Sequence, residues 1–243
     1  MTSAIKIDGL TKRYRDVVAV DGLSLDIKEG ELFSLLGVNG AGKTTTIKML
    51  SCLSRADEGD AYVLGKSISK EPAQVKAVIG VSPQETAVAA GLTVKENLEL
   101  ICGIYGFPKD KTAQKTESLS KMLSLESVMN KKAGKLSGGY ARRLSIAMAL
   151  ISEPRVLFLD EPTLGLDVIA RSELWDIIRK LKGQVTVILT THYMEEAEAL
   201  SDRIAVMKDG KLLVCDTPDE IKRTTQEDSI EQAFIKIVRG QTQ

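Results

Sequence analysis

The segment Leu32-Phe33-Ser34-Leu35-Leu36 runs uncharged into Gly37-Val38-Asn39-Gly40-Ala41-Gly42-Lys43-Thr44, and this pattern constrains the chain more than any other. A short, largely apolar run bounded by glycine reads as a buried strand, and the residues from Lys43 onward read as a helix. Between them the glycines permit a tight loop whose backbone N–H groups converge on one point, with the positive end of the helix dipole behind them. Strand, loop and helix in that order fit the phosphate-cradling pattern G-x-x-x-x-G-K-[ST]. Gly37, Asn39, Gly40, Ala41, Gly42, Lys43, Thr44 and Thr45 are therefore the expected contacts to a nucleoside triphosphate. Lys43 would reach the terminal phosphates, and the Thr44 hydroxyl suits Mg²⁺. The plainer reading is a glycine turn that only caps a helix, and the strand in front of the loop argues against it.

A second strand carries the complementary chemistry. Val156-Leu157-Phe158-Leu159 ends in Asp160-Glu161-Pro162. Ligands of open α/β sheets bind beyond the carboxyl ends of strands, where these two carboxylates would lie. Asp160 suits Mg²⁺, and Glu161 is then free to act as general base on a water attacking the γ-phosphate.

Composition mainly excludes. With 243 residues, 43% apolar and 27% charged, the chain suits one soluble globular domain, or a core with a subdomain, and not a disordered or fibrous protein. Its 33 basic and 33 acidic side chains cancel, so no global attraction draws it to nucleic acid or acidic membranes. At 4%, aromatic residues are too few for a base-stacking surface, and no nucleic-acid partner is expected. Cys52, Cys102 and Cys215 are odd in number and widely spaced, which fits a reducing cytosol better than a disulfide framework. The single histidine, His192, excludes a multi-histidine metal site. The N-terminus is charged where a secretion signal is apolar, and no window approaches the roughly 20 apolar residues that span a bilayer.

Short β-rich runs alternate with helical ones, which indicates an α/β fold. Ala4–Ile7 and Leu23–Ile27 alternate apolar and polar residues and predict an antiparallel edge sheet. Val78–Val81, Val156–Leu159 and Val185–Thr190 are near-continuously apolar, as central strands are. Ile204–Met207 and Lys211–Cys215 flank Asp209-Gly210, a hairpin signal. Helical spacing takes over in the middle: Val94, Leu98, Ile101 and Tyr105 behind Thr93 as N-cap, then Leu144, Ala147, Met148 and Ile151. The expected organisation is an α/β core with its β edge from residues 1–85 and 151–225, a helical insertion over 86–150, and a last helix within 226–243. No regulatory domain is expected in the short stretch from about Asp228 to Gln243.

Leu136-Ser137-Gly138-Gly139-Tyr140 opens a predicted helix ahead of the acidic strand. A Ser-Gly-Gly turn at a helix start would offer amides and a hydroxyl to a phosphate. Phosphate loop, Ser-Gly-Gly turn and Asp-Glu strand, in this order, resemble the ATP-binding-cassette (ABC) family of ATPases over essentially the whole chain. That resemblance implies a P-loop NTPase domain with a RecA-like mixed-sheet core, an antiparallel β edge and an inserted helical subdomain. It also implies roles for further residues. Tyr14 stands where the family stacks an aromatic ring on adenine. Gln84 matches a glutamine that touches Mg²⁺ and water and signals to the membrane partner. Leu164-Gly165-Leu166-Asp167 matches a loop that crosses to a second subunit, and His192 matches a switch histidine at the γ-phosphate. Two positions depart from the usual pattern: Tyr140 stands in place of glutamine, and Leu164 in place of a small polar residue.

The resemblance further implies a head-to-tail dimer with a second copy of the chain or a paralogue around two ATP molecules, with Ser137, Gly138 and Gly139 completing the partner's site. It implies a separate transmembrane permease docking near Gln84 and Thr86–Gly106, and hence a cytoplasmic subunit peripheral on the inner face of the cell membrane. Asn39-Gly40-Ala41-Gly42-Lys43-Thr44-Thr45-Thr46 and Met194-Glu195-Glu196-Ala197-Glu198 resemble bacterial exporter subunits of the drug, antibiotic or sodium-extrusion (ABC-2 type) branch. Two other readings compete. One is a soluble ABC ATPase in repair, translation or iron–sulfur assembly, which would carry no permease. The other is a P-loop kinase or GTP-dependent switch, which would need an acceptor site with a lid, or an Asn-Lys-x-Asp segment that the chain lacks.

Overall fold

The protein was analysed as a computed structural model that describes residues Thr2–Gly240. Along the chain run β1 (Ser3–Tyr14), β2 (Val17–Lys28), β3 (Leu32–Leu36), α1 (Lys43–Leu50), β4 (Glu58–Val63), β5 (Lys66–Ser67) and α2 (Pro72–Lys76). Then come β6 (Ile79–Ser82), α3 (Val94–Ile104), α4 (Lys109–Met122), α5 (Gly138–Leu150), β7 (Val156–Asp160) and α6 (Val168–Leu181). The chain ends with β8 (Thr186–Thr191), α7 (Met194–Leu200), β9 (Arg203–Lys208), β10 (Lys211–Asp216), α8 (Pro218–Thr225) and α9 (Ile230–Gly240). The expected last helix over 226–243 includes residues 241–243, which lie outside the described residues. Two compact units divide these elements: one takes the described residues up to Ala77 and from Lys182 onward, the other Val78–Leu181.

In the first unit β1 pairs antiparallel with β2 and with β4, giving the order β2-β1-β4-β5. In β1, Ile5 and Ile7 are buried while Lys6 and Asp8 are exposed, as half-buried strands require, and a register shift after Ile7 precedes the buried Leu10. A second set is parallel. β3 lies between β8 and β9, with Leu36 opposite both Thr191 and Val206. All five residues of β3 and all six of β8 are buried, with α7 packed against both strands and α1 against β8. β10 folds back antiparallel on β9 through Asp209 and Gly210. Leu36, Val206, Ile221, Ile230 and Phe234 share one buried cluster, which fixes α8 and α9 against the strands.

In the second unit β6 and β7 pair in parallel, with Ser82 opposite Leu159. α3 begins with a capping box: Thr93 accepts from the Glu96 amide, and the Glu96 carboxylate accepts from the Thr93 amide at 2.7 Å. Asn97 is fully buried one turn later. Its amide accepts from Ala89 N at 2.8 Å and donates to Thr93 O at 2.9 Å, tying the irregular segment before α3 to the helix. Among the described residues no helix is long and apolar enough to cross a membrane.

Candidate functional site

The loop from Gly37 to Gly42 is built by close approach of backbone to backbone. A Cβ on Gly37 would lie 2.5 Å from Met207 O, and one on Gly42 would lie 2.3 Å from Ala19 O. Gly42 also sits at φ 99°, a backbone region that L-residues avoid. Glycine is thus required at both positions by the neighbours and, at Gly42, by the backbone. The β9–β10 turn buttresses the loop, since Gly210 N donates to Ala41 O at 3.2 Å and Asp21 N to Gly210 O at 2.9 Å. That support was not foreseen, although the Asp209-Gly210 hairpin was legible. Thr46 Oγ1 donates to Gly42 O at 3.0 Å, closing the first turn of α1. Lys43 is buried, and its ammonium donates to Gly37 O at 2.8 Å and Val38 O at 3.3 Å, which holds the cation across the loop. Thr44 and Thr45 follow in the first turn of α1, while Asn39 and Gly40 form the exposed tip.

His192 belongs to the same corner. Leu36 and Thr191 are register partners at the carboxyl ends of β3 and β8, and Gly37 N donates to Thr191 O at 3.3 Å. The histidine and the loop therefore leave neighbouring strand ends together. Tyr193 packs on the imidazole at 4.1 Å between ring centres and fixes its direction. Tyr14 ends β1 paired with Val17, on the hairpin whose Ala19 backs Gly42. Tyr14 is 46% exposed, and Lys12 Nζ lies over its ring 5.4 Å from the centre.

The second unit holds the other candidate residues. Gln84 follows β6 by two residues and Asp160 is the last residue of its parallel partner β7, so both sit at adjacent carboxyl ends. Asp160 and Glu161 are both buried. Glu161 adopts φ 47°, an uncommon conformation for a side-chain-bearing residue, which redirects the chain as it leaves β7. Ser137 is the exposed N-cap of α5, and its hydroxyl makes no capping bond to the helix. Gly138 and Gly139 run close to the next segment: a Cβ would meet Leu166 Cδ2 at 3.3 Å and Ala170 Cβ at 3.2 Å respectively. In that segment Asp167 caps α6 by accepting from Ala170 N at 2.9 Å. The structure thus groups the phosphate loop, His192 and Tyr14 in one unit. In the other it groups Gln84 with Asp160 and Glu161, and Ser137–Gly139 with the 164–167 loop.

The family model described as "ABC transporter" matches residues 20–164. The chain belongs to the ABC transporter family. Among curated relatives, the daunorubicin resistance ATP-binding protein DrrA2 of Streptomyces coeruleorubidus is 41% identical over 94% of this chain and 71% of its own length. A solved ATP-binding subunit of an ABC transporter superposes with a TM-score of 0.85 over 98% of this chain and all of its own, at 24% identity. The dimeric bacterial ABC transporter cassette MJ0796 superposes with a TM-score of 0.79 at 29% identity, covering 88% of this chain and 98% of its own. The same cassette is also known in a post-hydrolysis state bound to ADP and Pi. This chain is an ABC cassette with the P-loop α/β fold, the ATP-binding and ATP-hydrolysing subunit of a transporter.

The residues suit both ligands. Gly37 and Gly42 press the loop backbone against Met207 O and Ala19 O, which holds its N–H groups in place for a polyphosphate. Thr44 and Asp160 supply hard oxygen donors, the kind Mg²⁺ takes.

Proposed function

We propose that this ABC cassette drives a separate transmembrane permease, in the direction of export, by closing on a second copy around ATP and reopening after hydrolysis. The observation that carries the ATP-dependent step is the backbone-built phosphate loop with Lys43 held across it. The drug-resistance relative supports the assignment to export.

In this reading the loop amides from Gly37 to Thr45 and the Lys43 ammonium hold the phosphates, and Tyr14 stacks on the adenine. Thr44, Asp160 and Gln84 hold Mg²⁺, which would neutralise charge developing on the phosphates. Glu161 accepts a proton from the attacking water, and His192 orients that water beside the γ-phosphate. Ser137, Gly138 and Gly139 complete the site of the other copy with amides and a hydroxyl. Most of the rate then comes from positioning and charge stabilisation. The α/β core with its β edge (1–85, 151–225) binds nucleotide. The helical stretch 86–150 meets the permease near Gln84 and Thr86–Gly106, which puts the subunit on the cytoplasmic face of the cell membrane.

Two measurements test this. Lys43→Ala removes the phosphate-facing cation and is expected to abolish hydrolysis; near-normal turnover would overturn the site. The tagged chain, purified from its native cells, is expected to bring an integral membrane protein with it. Recovery with ribosomes or DNA instead would replace the transporter with a soluble ABC ATPase.

A further inference from the structure

Strand β6 and helix α5 run side by side and touch at successive rungs. A Cβ on Gly80 would lie 2.3 Å from Ala149 O, and Ser82 Oγ meets Ser145 Oγ at 2.8 Å. One turn further toward the start of the helix, the two terminal nitrogens of Arg142 donate to Pro83 O and Gln84 O, each at 2.6 Å. Arg142 carries a charge and is buried, as is Arg143 beside it. A guanidinium is held at such a site by what it binds, and its planar fork suits two adjacent carbonyls. Four residues earlier the same helix begins at Gly138, with Gly139 and Ser137 beside it. The residue after Arg142, Arg143, faces the Tyr140 ring at 5.3 Å and pairs with Glu173 of α6.

We infer that Arg142 is a positioning residue that couples the backbone at Gln84 to the Ser137–Gly139 turn, so that the state of the glutamine segment in one copy sets the nucleotide site of the other. The inference rests on the two-copy site described above. Arg142 touches no nucleotide in its own copy; it acts through the direction in which α5 presents its first turn. A shift of the 83–84 backbone is passed to α5 by two hydrogen bonds to a charged group, which resist stretching more than neutral ones. The residue is therefore expected to control hydrolysis in trans and to leave ATP binding to the single chain unchanged.

Mixed dimers separate this from a merely structural role. Lys43→Ala inactivates the site that uses its own loop, while Arg142→Ala is expected to inactivate the site served by its own Ser-Gly-Gly turn. Lys43→Ala alone should be inactive, and Arg142→Ala alone should hydrolyse slowly, with its fall in kcat rather than in the ATP affinity of the monomer. Mixed one to one, half the dimers keep one intact site, so the rate should recover to about a quarter of the parent's. Placing both changes on one chain and mixing it with the parent should leave no intact site in the mixed dimers. If Arg142 served its own site through Gln84, the one-to-one mixture would stay inactive, and the inference fails. Gly138→Asp in place of Arg142→Ala is the reference. If it complements Lys43→Ala while Arg142→Ala does not, only the role of Arg142 is lost; if neither complements, the two-copy site itself is wrong. Should Arg142→Ala fail to fold, Arg142→Lys carries the same mixture. It keeps the charge without the fork and should retain more activity alone; a rate equal to the parent's would refute the inference.

Discussion

Replacing Gly42 by alanine tests whether the phosphate loop is held by backbone contact. The new methyl would stand 2.3 Å from Ala19 O and 3.3 Å from Val20 Cγ2, where ordinary contact begins at 3.4 Å. Ala19 O belongs to β2 and cannot swing aside as a side chain would, so the loop must retreat by about 1 Å. That retreat takes N–H groups aimed at a phosphate from about 2.9 Å to beyond hydrogen-bond range. Each lost bond to a charged group costs about 1.5–3 kcal/mol. Two such losses weaken ATP binding by about 3–6 kcal/mol, or roughly 10²- to 10⁴-fold. Gly40→Ala is the internal control. Gly40 also has a positive φ of 85°, but its Cβ would meet nothing within 4 Å. Its strain, about 1–2 kcal/mol, falls on the free and the bound loop alike and largely cancels in binding. Equilibrium titration with a fluorescent ATP analogue should therefore show Gly42→Ala far weaker and Gly40→Ala within about tenfold of the parent. Equal losses in the two variants would refute the steric argument, as would a Gly42→Ala variant that binds normally.

Two further expectations follow from the second unit. Gly80→Ala would press its methyl to 2.3 Å from Ala149 O and 3.0 Å from Pro154 Cγ, and overpacking of this kind costs about 1–3 kcal/mol. Thermal unfolding should fall by several degrees, and an unchanged midpoint would mean that β6 and α5 approach less closely than described. Glu153 is held below its ordinary value of 4.5 by the Lys115 ammonium, which donates to it at 2.5 Å and also to Ile151 O at 2.9 Å. A carboxylate held low in the folded state adds stability above its ordinary range, and that stability is lost as the pH falls through the lowered value. Lys115→Met should raise the Glu153 titration seen by NMR toward 4.5 and remove its share of the acid sensitivity; an unmoved titration contradicts the pair.

What the sequence revealed and what it hid divide along physical lines. β3, β7, β8 and the β9–β10 hairpin were legible because continuous apolar runs and an Asp-Gly turn are local signals. α3 was legible from Thr93 and its apolar spacing, and the structure adds Glu96 as the second half of the cap. β4, α2 and α8 were not foreseen. Of α8 only Ile221 is buried, so apolar periodicity is nearly silent there, although Thr217-Pro218-Asp219-Glu220 carries a helix-start signal. The phosphate loop could be read because its chemistry depends on consecutive residues. The grip of Ala19 and Gly210 on that loop, the φ of Glu161 and the clasp of Arg142 on Pro83 and Gln84 depend on residues far apart in the chain. The local pattern does not single out Arg142, since Arg143 beside it is charged and buried as well.

The claim that the ATP site needs two copies of this cassette is tested most directly by Glu161→Gln. The variant keeps the binding groups and removes the carboxylate proposed as the base, so ATP should remain bound and hold the dimer closed. Sedimentation at saturating ATP is expected to show a dimer with one nucleotide per chain. A chain that binds ATP and stays monomeric would contradict the account.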